Sequence, residues 1–250
     1  DMTEYSSSSV HAVPVSVRQH ALFLDFDGTL APLQDDPDTV ELPPGGAETL
    51  STLHASFQGA LVLISGRDIR DLAARTPKNV WRAGGHGLEI CAPGELPAPM
   101  ALQIDDGILA KAKGIITPYQ HVRIEEKGLV LAIHFRQNPD AEQPLLAALS
   151  HLADGIDGYK AQHGKMVIEL KPVRANKGIA LSEMMKRSEF VGRQPIMVGD
   201  DATDEDAIEV ATEQGGFGIK VGDGATLARH RFETPDRVWE WLRSIVNEHA

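Results

Sequence analysis

The 250-residue sequence has a single cysteine, Cys91, so the chain can form no internal disulfide and offers no cysteine-based zinc site. It lacks an excess of positive charge. The formal net charge of -12 is the opposite of the basic surface that releases counterions from a nucleic-acid backbone. No apolar run approaches the ~20 residues needed to span a bilayer. The opening "DMTEYSSSSVHAV" has neither the basic nor the apolar segment of a signal peptide. There is no internal repeat, and the ten histidines show no metal-ligand spacing. These absences predict a cytoplasmic, monomeric protein with no nucleic-acid or membrane partner, and residues 1–16 are expected to be a disordered tail. What is present is 42% hydrophobic content, enough for one large core or two modest ones.

The apolar segments alternate in type. Strands are predicted at Ala21 to Asp25, Ala60 to Ser65, around the glycines of Val80 to Ile90, at Pro195 to Asp200, and last at Gly216 to Gly222. Helices are predicted at Gly45 to Phe57, Arg67 to Arg75, Asp204 to Thr212 and Asp236 to Val246, the last with Val238, Leu242, Ile245 and Val246 on one face. Continuous apolar strands between helices imply a parallel sheet covered on both sides. Ligands of such sheets bind beyond the carboxyl ends of the strands, where Asp25, Ser65 and Asp200 fall.

Residues 102–171 break this rhythm. A helix-like stretch from Leu102 to Thr117 precedes "HVRIEEKGLVLAIHF", which alternates around a Lys127-Gly128 turn as a hairpin does. A helix carrying Leu145, Leu146, Leu149 and Leu152 follows, then a strand pair turning at His163-Gly164. This reads as a small α+β domain inserted between core segments 17–101 and 172–250.

The first strand, "LFLDFDGTL", ends in two carboxylates one residue apart. Burying such a pair without a partner is expensive. Residues i and i+2 of an extended chain point the same way, so Asp25 and Asp27 could face one point past the strand end. A second cluster, "GDDATDED", places Asp200 and Asp201 at another strand end and Asp204 at a helix start. If the two strands are neighbours, Asp25, Asp27 and Asp200 converge and require a cation, and oxygen-only ligation suits Mg²⁺. Helix capping accounts for Glu205 and Asp206 without a metal.

A metal beside a spare carboxylate suggests phosphoryl chemistry: one carboxylate attacks phosphorus, a second carboxyl group works as acid and base, and donors hold the phosphate oxygens. Ser65-Gly66 offers a hydroxyl and an open helix N-terminus. Lys177 offers a cation near a helix start.

The set "DFDGT", "SGR", Lys177 and "GDDATDED" resembles the four motifs of the haloacid dehalogenase superfamily of phosphotransferases, in order. The resemblance implies a Rossmann-like α/β core with an inserted α+β cap. It implies Asp25 as nucleophile, Asp27 as general acid/base and metal ligand through its carbonyl, Ser65 and Lys177 as phosphate binders, and Asp200 as Mg²⁺ ligand. Asp204 and Asp201 would support the metal from behind. From about Val17, "LDFDGTLAPL", "SGRD", "GGHGLEI", "EEKGLVLAIHFR", "GKMVIELKP" and "VGDDATDED" together are similar to the trehalose-6-phosphate phosphatase family. That likeness implies a sugar phosphate as substrate, read by Glu125, Lys127, His134, Arg136, Lys165 and Glu169 on the cap, with Gly66, Arg67 and His86 as further substrate-binding residues. Alternatives are a phosphatase of sucrose phosphate, mannosyl-phosphoglycerate or a hexose phosphate, or a non-catalytic phosphorylatable signalling module.

Overall fold

The computed structural model describes residues 7–164 and 166–249. It divides into two compact units, one within Asp1–Pro97 and Asn176–Ala250, the other Ala98–Ala175.

The first unit begins with β1 (His20–Leu24), α1 (Gly46–Ser56), β2 (Leu61–Ile64), α2 (Ile69–Arg75), β3 (Trp81–Gly84) and β4 (Glu89–Cys91). In chain order, the second unit then supplies α3 (Asp106–Ile116), β5 (Arg123–Lys127), β6 (Val130–His134), α4 (Glu142–Asp154), β7 (Tyr159–Gly164) and β8 (Val167–Pro172). The first unit resumes with α5 (Lys177–Met184), β9 (Gln194–Gly199), α6 (Ala202–Glu213), β10 (Phe217–Val221), β11 (His230–Phe232) and α7 (Pro235–Glu248).

The larger sheet runs β11-β10-β9-β1-β2-β3-β4, parallel except for the edge strand β4. Its central strands are buried on both faces, which is why "ALFL" and "LVLI" read as unbroken apolar runs. Leu24 lies opposite both Val198 of β9 and Leu63 of β2. The residues that follow these strands, Asp25, Asp200 and Ser65, are therefore neighbours at the carboxyl ends of the central strands.

The strand β11 was not expected: its three residues include His230 and Arg231, and carry no apolar run to betray them. α7 buries Val238, Trp239, Trp241, Leu242 and Ile245. Its Trp239 indole donates to the Leu30 carbonyl at 2.7 Å, tying the last helix to the loop after β1.

Residues 7–16 are not the free tail expected. Val10 and Val13 are only 6% and 5% exposed in the core, and the Ser8 amide donates to the Arg231 carbonyl. Two apolar residues in a serine-rich stretch suffice to pin it, and the unpaired side of β11 gives its backbone a partner.

In the second unit the sheet runs β5-β6-β8-β7, antiparallel throughout. Leu131, Ile133, Ile168 and Leu170 pack on one face with Leu145 and Leu149 of α4 and Ala112 of α3. Alternation sends Glu125, Lys127, His134 and Glu169 to the other face. Among the described residues no helix is long and apolar enough to cross a membrane.

Candidate active site

Asp25 follows β1 directly and is 4% exposed. Its Oδ1 accepts from Lys177 Nζ at 3.0 Å, and its Oδ2 from the Thr29 hydroxyl at 3.2 Å. Lys177 opens α5 and is 3% exposed; its ammonium also donates to Asp204 Oδ1 at 2.7 Å. Asp25, Asp200 and Asp204 each place a carboxylate oxygen within 4.8 Å of the other two. Residues from both core segments meet here because β1 and β9 pair side by side.

Electrostatics make this a strained meeting. Burial pushes Asp25 up to about 7, although Lys177 pulls the other way. Burial and then the Asp25 charge push Asp204 up to about 7. Asp200 is also raised, chiefly by burial. Lys177 goes the other way: burial opposes its charge, but Asp25 and Asp204 outweigh burial and hold the ammonium above its ordinary range. Three carboxylates share one lysine, and a second cation would relieve the excess negative charge.

The two outer carboxylates differ in what they have left to offer. Asp204 is fully buried, and its Oδ2 accepts the backbone N–H groups of Asp200 and Asp201 at 3.0 Å each. With Oδ1 on Lys177, both oxygens are engaged, so Asp204 shapes the loop. The Lys220 ammonium, 6% exposed, donates to the Asp200 carbonyl. Asp200 itself keeps a carboxylate oxygen against Gly28, whose φ of +78° makes the turn. A Cβ at Gly28 would overlap Asp200 Oδ2, so only glycine permits this approach. The remaining donors are all oxygens and fit a hard divalent cation.

Asp27 departs from the expected geometry. It lies beyond the strand, where the i, i+2 rule no longer applies, and its carboxylate is outside the Asp25–Asp200–Asp204 group. Both its oxygens are taken by Arg67, Nε to Oδ2 at 2.8 Å and Nη2 to Oδ1 at 2.6 Å. The Arg67 guanidinium also reaches Asp71 and the Pro37 carbonyl. Asp201 stands apart as well, exposed and accepting from the Thr203 hydroxyl.

Ser65, 1% exposed, follows β2, and its Oγ accepts the Arg67 amide at 3.0 Å. The His86 amide donates to the Ser65 carbonyl, and a Cβ on Gly66 would lie 2.6 Å from His86 Cε1, so the imidazole covers this turn.

In the second unit Glu125, Ala132, Glu169 and Gln162 stand level across the four strands. The His134 ring pairs with Glu125 at 2.9 Å, which lowers the Glu125 carboxyl below its usual range. Lys127 lies two residues further along β5, and Arg136 is exposed past the end of β6. Lys165 lies outside the described residues.

The sequence reading missed Lys220, whose signal was a lone lysine inside the apolar strand "FGIKV". It also left Thr29 without a role and gave none to Asp71 and Arg75.

The parallel sheet with acids at adjoining strand ends has the fold of known phosphatases of the haloacid dehalogenase superfamily. A phosphatase of that superfamily from Bacteroides thetaiotaomicron superposes with a TM-score of 0.63 at 16% identity, covering 95% of this chain and 97% of its own. The sequence profile described as trehalose-phosphatase matches residues 23–232. The chain belongs to the trehalose-phosphatase family. The trehalose-6-phosphate phosphatase of Escherichia coli K12 is 34% identical over 239 residues, which span 91% of this chain and 87% of the relative. The solved trehalose-6-phosphate phosphatase of Aspergillus fumigatus has a TM-score of 0.74 at 24% identity, covering 92% and 93% of the two chains.

Proposed function

We infer that the protein is a phosphoric monoester hydrolase that converts trehalose 6-phosphate to trehalose and phosphate, with Asp25 as nucleophile. The observation that carries this is the Asp25 carboxylate, buried at a strand end between Lys177 and Thr29 and grouped with Asp200 and Asp204. Family membership supplies the substrate.

An Asp25 oxygen bonds to phosphorus as the phosphorus–oxygen bond to the sugar breaks, and Asp27, protonated on one oxygen while the other still accepts from Arg67, gives that proton to the departing alkoxide. Asp27, now a carboxylate, takes a proton from water, whose oxygen bonds to phosphorus. The bond to Asp25 breaks, phosphate leaves, and both aspartates return to their starting states. Lys177 keeps Asp25 oriented, and its charge favours phosphate oxygens in the same site. Ser65 and the amides of the following turn hold the remaining oxygens. Asp25, Asp200 and the Asp27 carbonyl would hold Mg²⁺, which when bound offsets the repulsion between carboxylate and phosphate. The polar face of the inserted unit, with Glu125, Lys127, His134 and Glu169, offers groups matched to sugar hydroxyls, and the exposed Arg136 adds a cation.

The test is phosphate release from trehalose 6-phosphate, sucrose 6-phosphate and glucose 6-phosphate, with and without EDTA. Turnover specific to the first, abolished by EDTA and by Asp25→Asn in a folded variant, is expected. Undiminished turnover in Asp25→Asn removes the mechanism, and a preference for another sugar phosphate removes the substrate.

A further inference from the structure

Charged residues of alternating sign follow one another every four residues from the Ser65-Gly66 turn into α2. Arg67 donates to Asp71 Oδ2 at 2.7 Å, and Asp71 Oδ1 accepts from Arg75 Nε at 3.1 Å. Both spacings are i,i+4; Asp71 and Arg75 share one face of α2, and Arg67 reaches Asp71 from just before the capping residue Asp68. The near end of this ladder is the bidentate pair with Asp27. Its far end is also fixed, because Arg75 Nη1 donates to the carbonyls of Asp38 at 3.1 Å and Val40 at 2.7 Å. Arg67 itself donates to the Pro37 carbonyl at 2.8 Å, so both arginines clamp the segment between residues 37 and 40. The Arg67 guanidinium lies 5.7 Å from the centre of the Phe26 ring.

From this geometry we propose that Asp71 and Arg75 are positioning residues, which set the plane of the Arg67 guanidinium and through it the orientation of the Asp27 carboxylate. The proposal rests on the reading of Asp27 as the acid and base. A bidentate arginine–carboxylate pair is planar, so fixing one partner's plane fixes the other's. A guanidinium on three rotatable methylenes has no plane of its own. Asp71 and the Pro37 carbonyl give it one by engaging both terminal nitrogens. Asp71 is held in turn by Arg75. Asp27 must meet the leaving oxygen first and a water second, and general acid–base work tolerates little misplacement.

A network that only stabilises α2 behaves differently. Surface i,i+4 pairs contribute little to folding, so Asp71→Ala shifts the melting temperature by no more than about 3 °C. Its effect falls on chemistry, and unequally. With 4-nitrophenyl phosphate and Mg²⁺, attack by Asp25 expels a leaving group that needs no proton, whereas hydrolysis of the phosphoenzyme still needs Asp27 as base. Stopped-flow and acid quench of Asp71→Ala and Arg75→Ala should give a first-turnover rate within about 2-fold of wild type. Steady-state turnover falls ~10-fold or more, with phosphoprotein accumulating. Trehalose 6-phosphate, whose alkoxide needs the proton as well, slows in both phases. Asp71→Glu, which keeps a carboxylate on the ladder, recovers most of the loss. Equal slowing of both phases with the aryl substrate, or no slowing in either alanine variant, overturns the proposal. If wild-type protein forms no quenchable phosphoprotein and shows no turnover, it is the phosphatase reading that has failed.

Discussion

Gly28→Ala isolates how close two chain segments must come for the site to exist. Two effects are combined at this position. The φ of +78° is a left-handed conformation, which costs an L-residue about 1–2 kcal/mol. The new methyl also lies 2.0 Å from Asp200 Oδ2, so the Asp200 side chain must retreat by roughly 1.5 Å to restore van der Waals contact. Gly45 separates the two. It has a φ of +79° at the start of α1, and a Cβ there meets nothing within 4 Å. Gly45→Ala therefore carries the backbone term alone. At about 2–4 °C per kcal/mol for a chain of this size, Gly45→Ala melts about 2–8 °C below wild type with normal turnover. Gly28→Ala shows a similar or larger drop in melting temperature. A misplaced ligand at the reacting centre additionally lowers kcat/KM by ~10²-fold. It also shrinks the melting-temperature rise that Mg²⁺ produces in wild type. The assays are thermal melts with and without Mg²⁺, and phosphate release from trehalose 6-phosphate. If Gly28→Ala matches Gly45→Ala in both, the approach of Asp200 to the turn has no functional weight.

The remaining predictions concern charge, specificity and anchoring. Asp25 and Asp204 are pushed from 3.8 up to about 7 in the folded chain, so between those values the folded state binds more protons than the unfolded one. Their contribution to stability is present below 3.8 and is lost as pH rises through 7. Melting in EDTA should therefore show declining stability from pH 5 to pH 8, and Mg²⁺ should raise the melting temperature more at pH 8 than at pH 5.5; the reverse ordering contradicts the cluster. Glu169→Ala should raise KM for trehalose 6-phosphate ~10-fold while leaving 4-nitrophenyl phosphate within 2-fold, because a lost hydrogen bond to a charged group is worth ~1.5–3 kcal/mol. Trp239→Phe strands the Leu30 carbonyl and should cost about 1–3 kcal/mol in a denaturant titration, with no change if water reaches that carbonyl.

How far the sequence discloses this molecule depends on where the signal is local. The parallel sheet was legible because strands buried on both faces leave unbroken apolar runs, and Asp25, Ser65 and Asp200 were legible because polar residues end those runs. Helix and strand ends moved by one to four residues, most at α3, whose expected start at Leu102 gives way to Asp105 as the capping residue. The orientation of Asp27 was not legible. It depends on Arg67, which lies forty positions on and reaches back across the turn after β2. Lys220 was hidden for a related reason, since a lysine among apolar neighbours reveals its burial but not its partner, the Asp200 carbonyl. The short β11 has no pattern of its own and is defined by pairing with β10. The polar face of the inserted unit followed from simple alternation.

The pairing of β1 with β9 also governs how the chain can be made. His20 pairs with Gln194, and the whole of Ala98–Ala175 lies between them in sequence. On a ribosome, β1, β2 and β3 emerge together, but the other side of β1 has no neighbour until β9 is synthesised. At ~5–20 residues per second that wait lasts about 10–35 s. Through it, the apolar segment "HALFL" is an open edge, the kind of surface that recruits other nascent chains. The middle of this sheet thus closes late, only after the inserted unit has been made, and yield on expression should respond more to holdase chaperones acting on the first hundred residues than to any change in the finished fold.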